Sequence, residues 1–344
     1  MQNSAKTRQE ILFYKSFLWV LLVFCLLVSA SETEILGDPF ELQYPKNWPK
    51  PTYDFFKNPL TRQRVELGRR LFYDPILSRD STISCASCHL SFTAFAHVDH
   101  ALSHGIENRI GTRNAPALAN LAWSKSFMWD GAVSHLDFQA LAPISNPTEM
   151  DNSIRNVVLK LENNPDYRVH FGEAFGDSIV TGERVLLAIA QFEVTLISDN
   201  SKYDKVMQGL ETFSEQEQNG YQLFQKNCAS CHVEPFFTNH DFEKNGLPLD
   251  TTLNDFGEMR VTKDPLDSLK FKVPTLRNIE FSYPYMHDGR FKKLKDVLNH
   301  YTQTTALERK IELSPNEKVD LTAFLLTLTD RTFLFNPDFG FPRK

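Results

Sequence analysis

Cysteine is scarce in this sequence, five in 344 residues, and none is left over for a structural disulfide. Cys25 lies in a leader-like segment, and the other four make two C-x-x-C-H pentapeptides. Period-2 alternation of apolar and polar residues is missing, which excludes an extensive sheet. Positive charge is not in excess either. Lys and Arg number 37 against 43 Asp and Glu, a formal net charge of −6 that argues against nucleic acid as a partner. The one long apolar run, Phe17 to Val28, falls short of the roughly 20 residues that a transmembrane span requires.

That run has the makings of an export signal. Lys6, Arg8 and Lys15 form a basic start, and Val28-Ser29-Ala30 offers a small-residue cleavage site. A cleaved signal over residues 1–30 is expected ahead of an uncleaved anchor, and a lipoprotein reading of Cys25 fails on the bulky Val23 and Phe24 before it. Removing the signal moves the formal charge to about −8, which suits a basic partner such as a small electron-carrying cytochrome.

The pentapeptides are Cys85-Ala86-Ser87-Cys88-His89 and Cys228-Ala229-Ser230-Cys231-His232. Two thiols on one turn can each add to a haem vinyl group, and the histidine that follows can ligate the iron from below. A zinc site or a redox dithiol is the competing reading. Zinc pairs usually lie about 15–20 residues apart, whereas these lie 143 apart and each carries its own histidine. Two covalent c-type haems are therefore expected. Haem of this kind is attached outside the bacterial cytoplasm, so the motifs and the export signal support each other, and the periplasm is the expected location.

The remaining chain reads as mostly α. Residues 31–60 form a Pro- and aromatic-rich arm, expected to pack on the first domain. A helix begins at Thr61 and ends before Pro75, long loops fill 91–150, and helical patterns return at 154–161 and 183–197. Ser214 with Glu217, and Ser314 with Glu317, are capping boxes that open two later helices, the second running to about Thr329. The halves echo each other. Arg113-Asn114 and Phe127-Met128-Trp129-Asp130-Gly131 are answered, at different spacing, by Arg277-Asn278 and Tyr285-Met286-His287-Asp288-Gly289. Two cytochrome c-like domains related by duplication follow, at 31–205 and 206–344.

Beyond the pentapeptides, the sequence resembles the bacterial di-haem cytochrome c peroxidase family, which includes MauG-like enzymes. The resemblance rests on Leu67–Phe72, Arg113-Asn114-Ala115-Pro116, Phe127–Gly131, Asn146-Pro147-Thr148-Glu149-Met150, Lys272–Asn278 and Tyr283–Gly289. It implies hydrogen peroxide as substrate at the haem on His89, with Glu149 as acid–base group and Gln139 and Pro143 lining the distal pocket. Capping of a helix near Asp151 is the plainer role for Glu149. Trp129 matches the tryptophan between the haems, although core packing would look the same in sequence. Electrons would enter at the haem on His232 from a small cytochrome c or cupredoxin. The resemblance also implies calcium, with Asn114, Ser282 and Pro284 at the matching positions, although no acidic cluster announces it. A homodimer is left open.

Two positions depart from the peroxidase pattern. Tyr301 stands where peroxidases place a methionine ligand, as in MauG-like members, with His300 the nearest other donor. His104, in Ser103-His104-Gly105, is the candidate sixth ligand of the first haem, but sits two residues further from Asn114 than the pattern requires; His97 and His100 share its loop. The expected function is peroxide reduction. MauG-like oxidation of a protein or organic substrate is the alternative, and a non-catalytic di-haem electron carrier the second.

Overall fold

Thr61 starts the first helix as expected: its hydroxyl accepts from the Arg64 amide at 3.3 Å, and helix α1 runs Arg62–Tyr73. The computed structural model describes residues 37–307 and 310–342; the expected export signal, with Cys25, lies outside them. After α1 come α2 (Leu141–Ser145), α3 (Ile154–Glu162), α4 (Pro165–Phe175), α5 (Gly182–Val194) and α6 (Lys202–Met207). The second half holds α7 (Glu215–Asn227), α8 (Met259–Thr262), α9 (Leu294–Gln303), α10 (Pro315–Leu326) and α11 (Arg331–Leu334). Both capping boxes form. The Ser214 and Ser314 hydroxyls accept from the Glu217 and Glu317 amides at 3.3 Å, and the serine amides donate back to the two carboxylates at 2.7 Å. The loops expected at 91–150 are present, with 3₁₀ turns and the five-residue α2 as their only helical elements. Helix α4 escaped the sequence reading, though Asn164 and Pro165 open it and Gly176, at φ 85°, closes it. The only sheet among the described residues is β1 (Phe242–Lys244) antiparallel to β2 (Lys270–Lys272).

Two helix pairs repeat one design. In the first, α1 crosses α5 at Gly68, where an added Cβ would lie 1.8 Å from the Ala188 carbonyl oxygen. In the second, α7 crosses α10 at Gly220, with the Asp320 oxygen 2.0 Å from the same imaginary atom. One turn further on, Phe72 meets Phe192 at 5.3 Å between ring centroids, and Phe224 meets Phe324 at 5.1 Å. Backbones this close admit only glycine, and a methyl must push the helices apart. Gly68→Ala and Gly220→Ala should each lower stability by about 1–3 kcal/mol. Chemical denaturation of the haem-loaded protein, followed by far-UV circular dichroism, measures it; an unchanged midpoint would mean that the crossings relax freely.

The repeat has a tighter register than the sequence comparison implied. The true partner of Asn278 is Asn120, not Asn114. Asn120 and Asn278 share a left-handed backbone, at φ 58° and 59°. Both reach Ser198, Asn120 Nδ2 donating to its carbonyl at 3.1 Å and Asn278 Nδ2 to its hydroxyl at 2.9 Å. Each then precedes a matching strap. The Phe127 amide donates to Val133 and the Tyr285 amide to Phe291, both at 2.7 Å, with Met128 and Met286 left-handed. The Arg-Asn dipeptides misled because their arginines do different work. Arg113 grips Asp255 at 2.6 and 2.8 Å, joining the halves, while Arg277 grips Asp204 at 2.8 and 2.7 Å.

The arm packs on both halves rather than the first alone. Trp48 lies against Trp123 and also against Phe236, within one cluster that includes Phe72, Phe192 and Phe333. No helix among the described residues is long and apolar enough to cross a membrane.

Candidate functional site

Each pentapeptide folds as a tight turn. The Cys88 and His89 amides both donate to the Cys85 carbonyl, at 3.1 and 3.0 Å, and Cys231 and His232 do the same to Cys228, at 3.1 and 2.9 Å. Both cysteines of each pair are thereby brought to one turn, and no disulfide joins any of the four. His89 Nδ1 lies 2.6 Å from the Phe95 carbonyl oxygen, and His232 Nδ1 lies 3.0 Å from that of Phe237. A carbonyl can only accept, so Nδ1 carries the proton and Nε2 keeps its lone pair. Burial lowers His89 to about 4 and also lowers His232, so both rings stay neutral. Burial likewise raises the Cys85, Cys88 and Cys231 thiols, surroundings that suit an uncharged thioether. Paired thiols, a neutral imidazole anchored through Nδ1 on a carbonyl and apolar walls are the donor set that a covalent haem requires. The residues fit.

Glu149 is brought to the first of these turns. Its charge is felt at both Cys85 and Cys88. The backbone holds it there: the Ile106 amide donates to the Glu149 carbonyl at 2.8 Å, and the Met150 amide donates to Pro143 at 3.2 Å. A Cβ on Gly105 would sit 2.4 Å from Glu149 Cα, so only glycine lets the two loops meet. Burial raises the Glu149 carboxyl above its ordinary value, and a hydrogen bond with Ser103 offsets part of that rise. Helix capping is not its job, since Ser153 caps α3 through the Asn156 amide at 3.2 Å. Gln139 lies two residues before α2 and Pro143 within it; Gln139 Nε2 points at Met128 Sδ, 3.8 Å away.

Trp129 sits across the join between the halves. Its indole Nε1 donates to the Asn114 carbonyl at 2.8 Å, while its own carbonyl accepts from the Lys272 amide at 2.8 Å. Asn114 is buried; its backbone amide donates to His287 O at 2.7 Å, and its Nδ2 donates to Ala101 O at 3.0 Å. Its Oδ1 is the atom it could offer to a cation. Ser282 and Pro284 lie just before the strap that carries His287.

His104 belongs to a histidine cluster. Its ring centroid is 4.0 Å from His100 and 6.4 Å from His97, and its Nδ1 lies 3.0 Å from Leu102 O. Its carbonyl accepts from Cys88 Sγ at 3.4 Å, which keeps it beside the first turn. At the second turn, Tyr301 is half-buried on α9. Burial raises its phenol, and Cys228 and Cys231 add to the rise, which locates the ring near both thiols. His300 points elsewhere, with Nε2 2.8 Å from Asn245 O.

Two residues near the first turn went unnoticed in the sequence. Ser103 was visible in the Ser-His-Gly segment, but only the fold pairs it with Glu149. Glu193 gave no signal inside an apolar helical stripe. It is buried on α5 near Cys85 with no partner for Oε2, and burial pushes its carboxyl up to about 8.

The sequence profile of di-haem cytochrome c peroxidases matches residues 62–212, and that of cytochrome c matches 217–329. The cytochrome c551 peroxidase of Nitrosomonas europaea is 36% identical over 289 residues, covering 83% of this chain and 84% of that protein. The methylamine utilization protein MauG of Methylorubrum extorquens is 35% identical over 318 residues, covering 87% and 86%. Among solved structures, a MauG-like protein associated with microbial copper homeostasis superposes with a TM-score of 0.82 at 31% identity, covering 88% of this chain and 99% of that one.

Proposed function

Since the chain belongs to the di-haem cytochrome c peroxidase family, which includes the MauG proteins, we propose that it reduces hydrogen peroxide to water in the periplasm. The reaction would take place above His89, in an N-terminal cytochrome domain ending near residue 205. Electrons would arrive through the C-terminal domain from a small cytochrome c or cupredoxin. When bound, the haems supply the iron redox chemistry that cleaves the O–O bond and carries the electrons. The chain's own residues handle protons and position. Glu149 would take a proton from one peroxide oxygen and return it to the other, Gln139 would orient the bound oxygens by its amide, and Pro143 would wall the pocket. Trp129, hydrogen-bonded to both halves, is the ring best placed to pass electrons between them.

The observation that carries this reading is the half-buried Glu149 carboxyl held beside the turn of Cys85 and Cys88 by the Ile106 and Met150 amide bonds. Stopped-flow absorption with peroxide, with and without reduced donor cytochrome, tests it. Spectra inert to peroxide would instead favour a di-haem electron carrier. Two haems per chain should survive denaturation on a haem-stained gel, and Cys231→Ala should remove one of them; zinc in place of iron would overturn the assignment. His104→Gly tests the sixth ligand: if His104 closes the first haem, the variant gains a high-spin signal that the wild type lacks. Calcium at Asn114 would need water or further carbonyls to reach the six to eight oxygens it takes. Chelation followed by peroxide kinetics and metal analysis decides it.

A second reading is favoured by Tyr301. A phenol beside Cys228 and Cys231 supports MauG-like oxidation of a protein or organic substrate, because phenolate ligation favours ferric iron.

A further inference from the structure

Tyr44 and Trp48 of the arm and Trp123 beneath it form a ladder of oxidisable rings that the site above does not use. Trp48 lies 5.4 Å from Trp123, and Trp123 lies 5.3 Å from Tyr44, all between ring centroids. Phe236 packs on both indoles, at 4.8 and 5.1 Å. It directly precedes Phe237, whose carbonyl holds the ring of His232. The same cluster packs against Cys85 and Ala86 of the first pentapeptide. It thus abuts both attachment segments and reaches outward to Tyr44, which is only half-buried.

Local chemistry grades the rings. The Arg277 guanidinium lies 4.9 Å over Trp48, and a cation on a ring face makes removal of an electron harder. Among the described residues no cation lies over Trp123. Its Nε1 donates to Pro49 O at 2.7 Å. An amide carbonyl is too weak a base to take that proton, so an oxidised Trp123 stays a radical cation, the more oxidising form. Tyr44 releases its proton on oxidation and can give it to water. The gradient therefore runs from Trp123 to Tyr44.

We propose that Trp123 and Tyr44 form an exit for oxidising equivalents, making the arm a second site where small phenolic or aromatic-amine donors are oxidised one electron at a time. This rests on the peroxide reading above. Tyr44 would lose one electron inward through Trp123 and one proton to water, giving a tyrosyl radical. A phenolic donor would then return one electron and one proton and leave as its own radical. Two such donors balance one peroxide and the two waters formed.

The test adds peroxide to the di-haem protein without a donor cytochrome, recording absorbance and then mapping oxidised side chains by peptide mass spectrometry. Oxidation is expected at Tyr44 and Trp123, with loss of the Tyr44 modification in Trp123→Phe although the absorbance change persists. Because Trp123 is a core side chain, Tyr44→Phe provides a second arm: it should lose oxidation of a phenolic donor and keep turnover with a donor cytochrome. An absorbance change with both residues unmodified, or phenol oxidation undiminished in Tyr44→Phe, overturns the proposal alone. No absorbance change at all overturns the peroxide reading and this exit with it.

Discussion

Glu149→Gln should slow peroxide turnover by about 10²–10⁴-fold while both haems stay attached. The amide keeps the shape and the Ser103 contact but cannot carry a proton between oxygens. The pH profile is the sharper readout. Burial holds the Glu149 carboxyl above the ordinary carboxylate range, and only its ionised form can accept the first proton. The acid limb of kcat/KM should therefore lie above that range in the wild type and vanish in Glu149→Gln. Steady-state peroxide consumption across pH, paired with a haem count, measures both. A Glu149→Gln variant with wild-type rate and profile would reduce Glu149 to a packing role.

Tyr301→Met should raise the potential of the haem on His232 by on the order of 100 mV, because a thioether favours ferrous iron and a phenolate ferric. It should also move the enzyme towards ordinary peroxidase behaviour, while Tyr301→Phe opens the iron face. The geometry favours Tyr301 over its neighbour, since His300 Nε2 is engaged with Asn245 O whereas the Tyr301 ring lies beside the two thiols. Resonance Raman spectroscopy distinguishes phenolate from imidazole or thioether ligation, and redox titration gives the potential. If Tyr301→Phe leaves both unchanged, Tyr301 only packs and the MauG-like reading loses its main support.

The amino-acid order by itself determined the features that depend on near neighbours. C-x-x-C-H turns, the Thr61, Ser214 and Ser314 caps and the stripe on α5 are read within a few residues, because capping and helical periodicity act over one or two turns. Helix α4 was equally legible in Asn164, Pro165 and Gly176, although its apolar face is short.

What only the tertiary structure decided depends on groups far apart in the chain. The convergence of the Asn120 and Asn278 side chains on Ser198 emerges only in the fold, although Pro116-x-Leu118-x-Asn120 and Pro274-x-Leu276-x-Asn278 already match in the sequence. That Gly68 and Gly220 are contact points, not flexible joints, follows from the carbonyls of Ala188 and Asp320, which belong to helices distant in sequence. The arm's reach to Phe236, the Ser103 bond to Glu149 and the isolation of Glu193 likewise depend on the assembled fold. The physical reason is common to all of them. Burial, desolvation and close backbone approach are properties of the assembled space around an atom, and a linear pattern records which residues are apolar but not which of them share a wall.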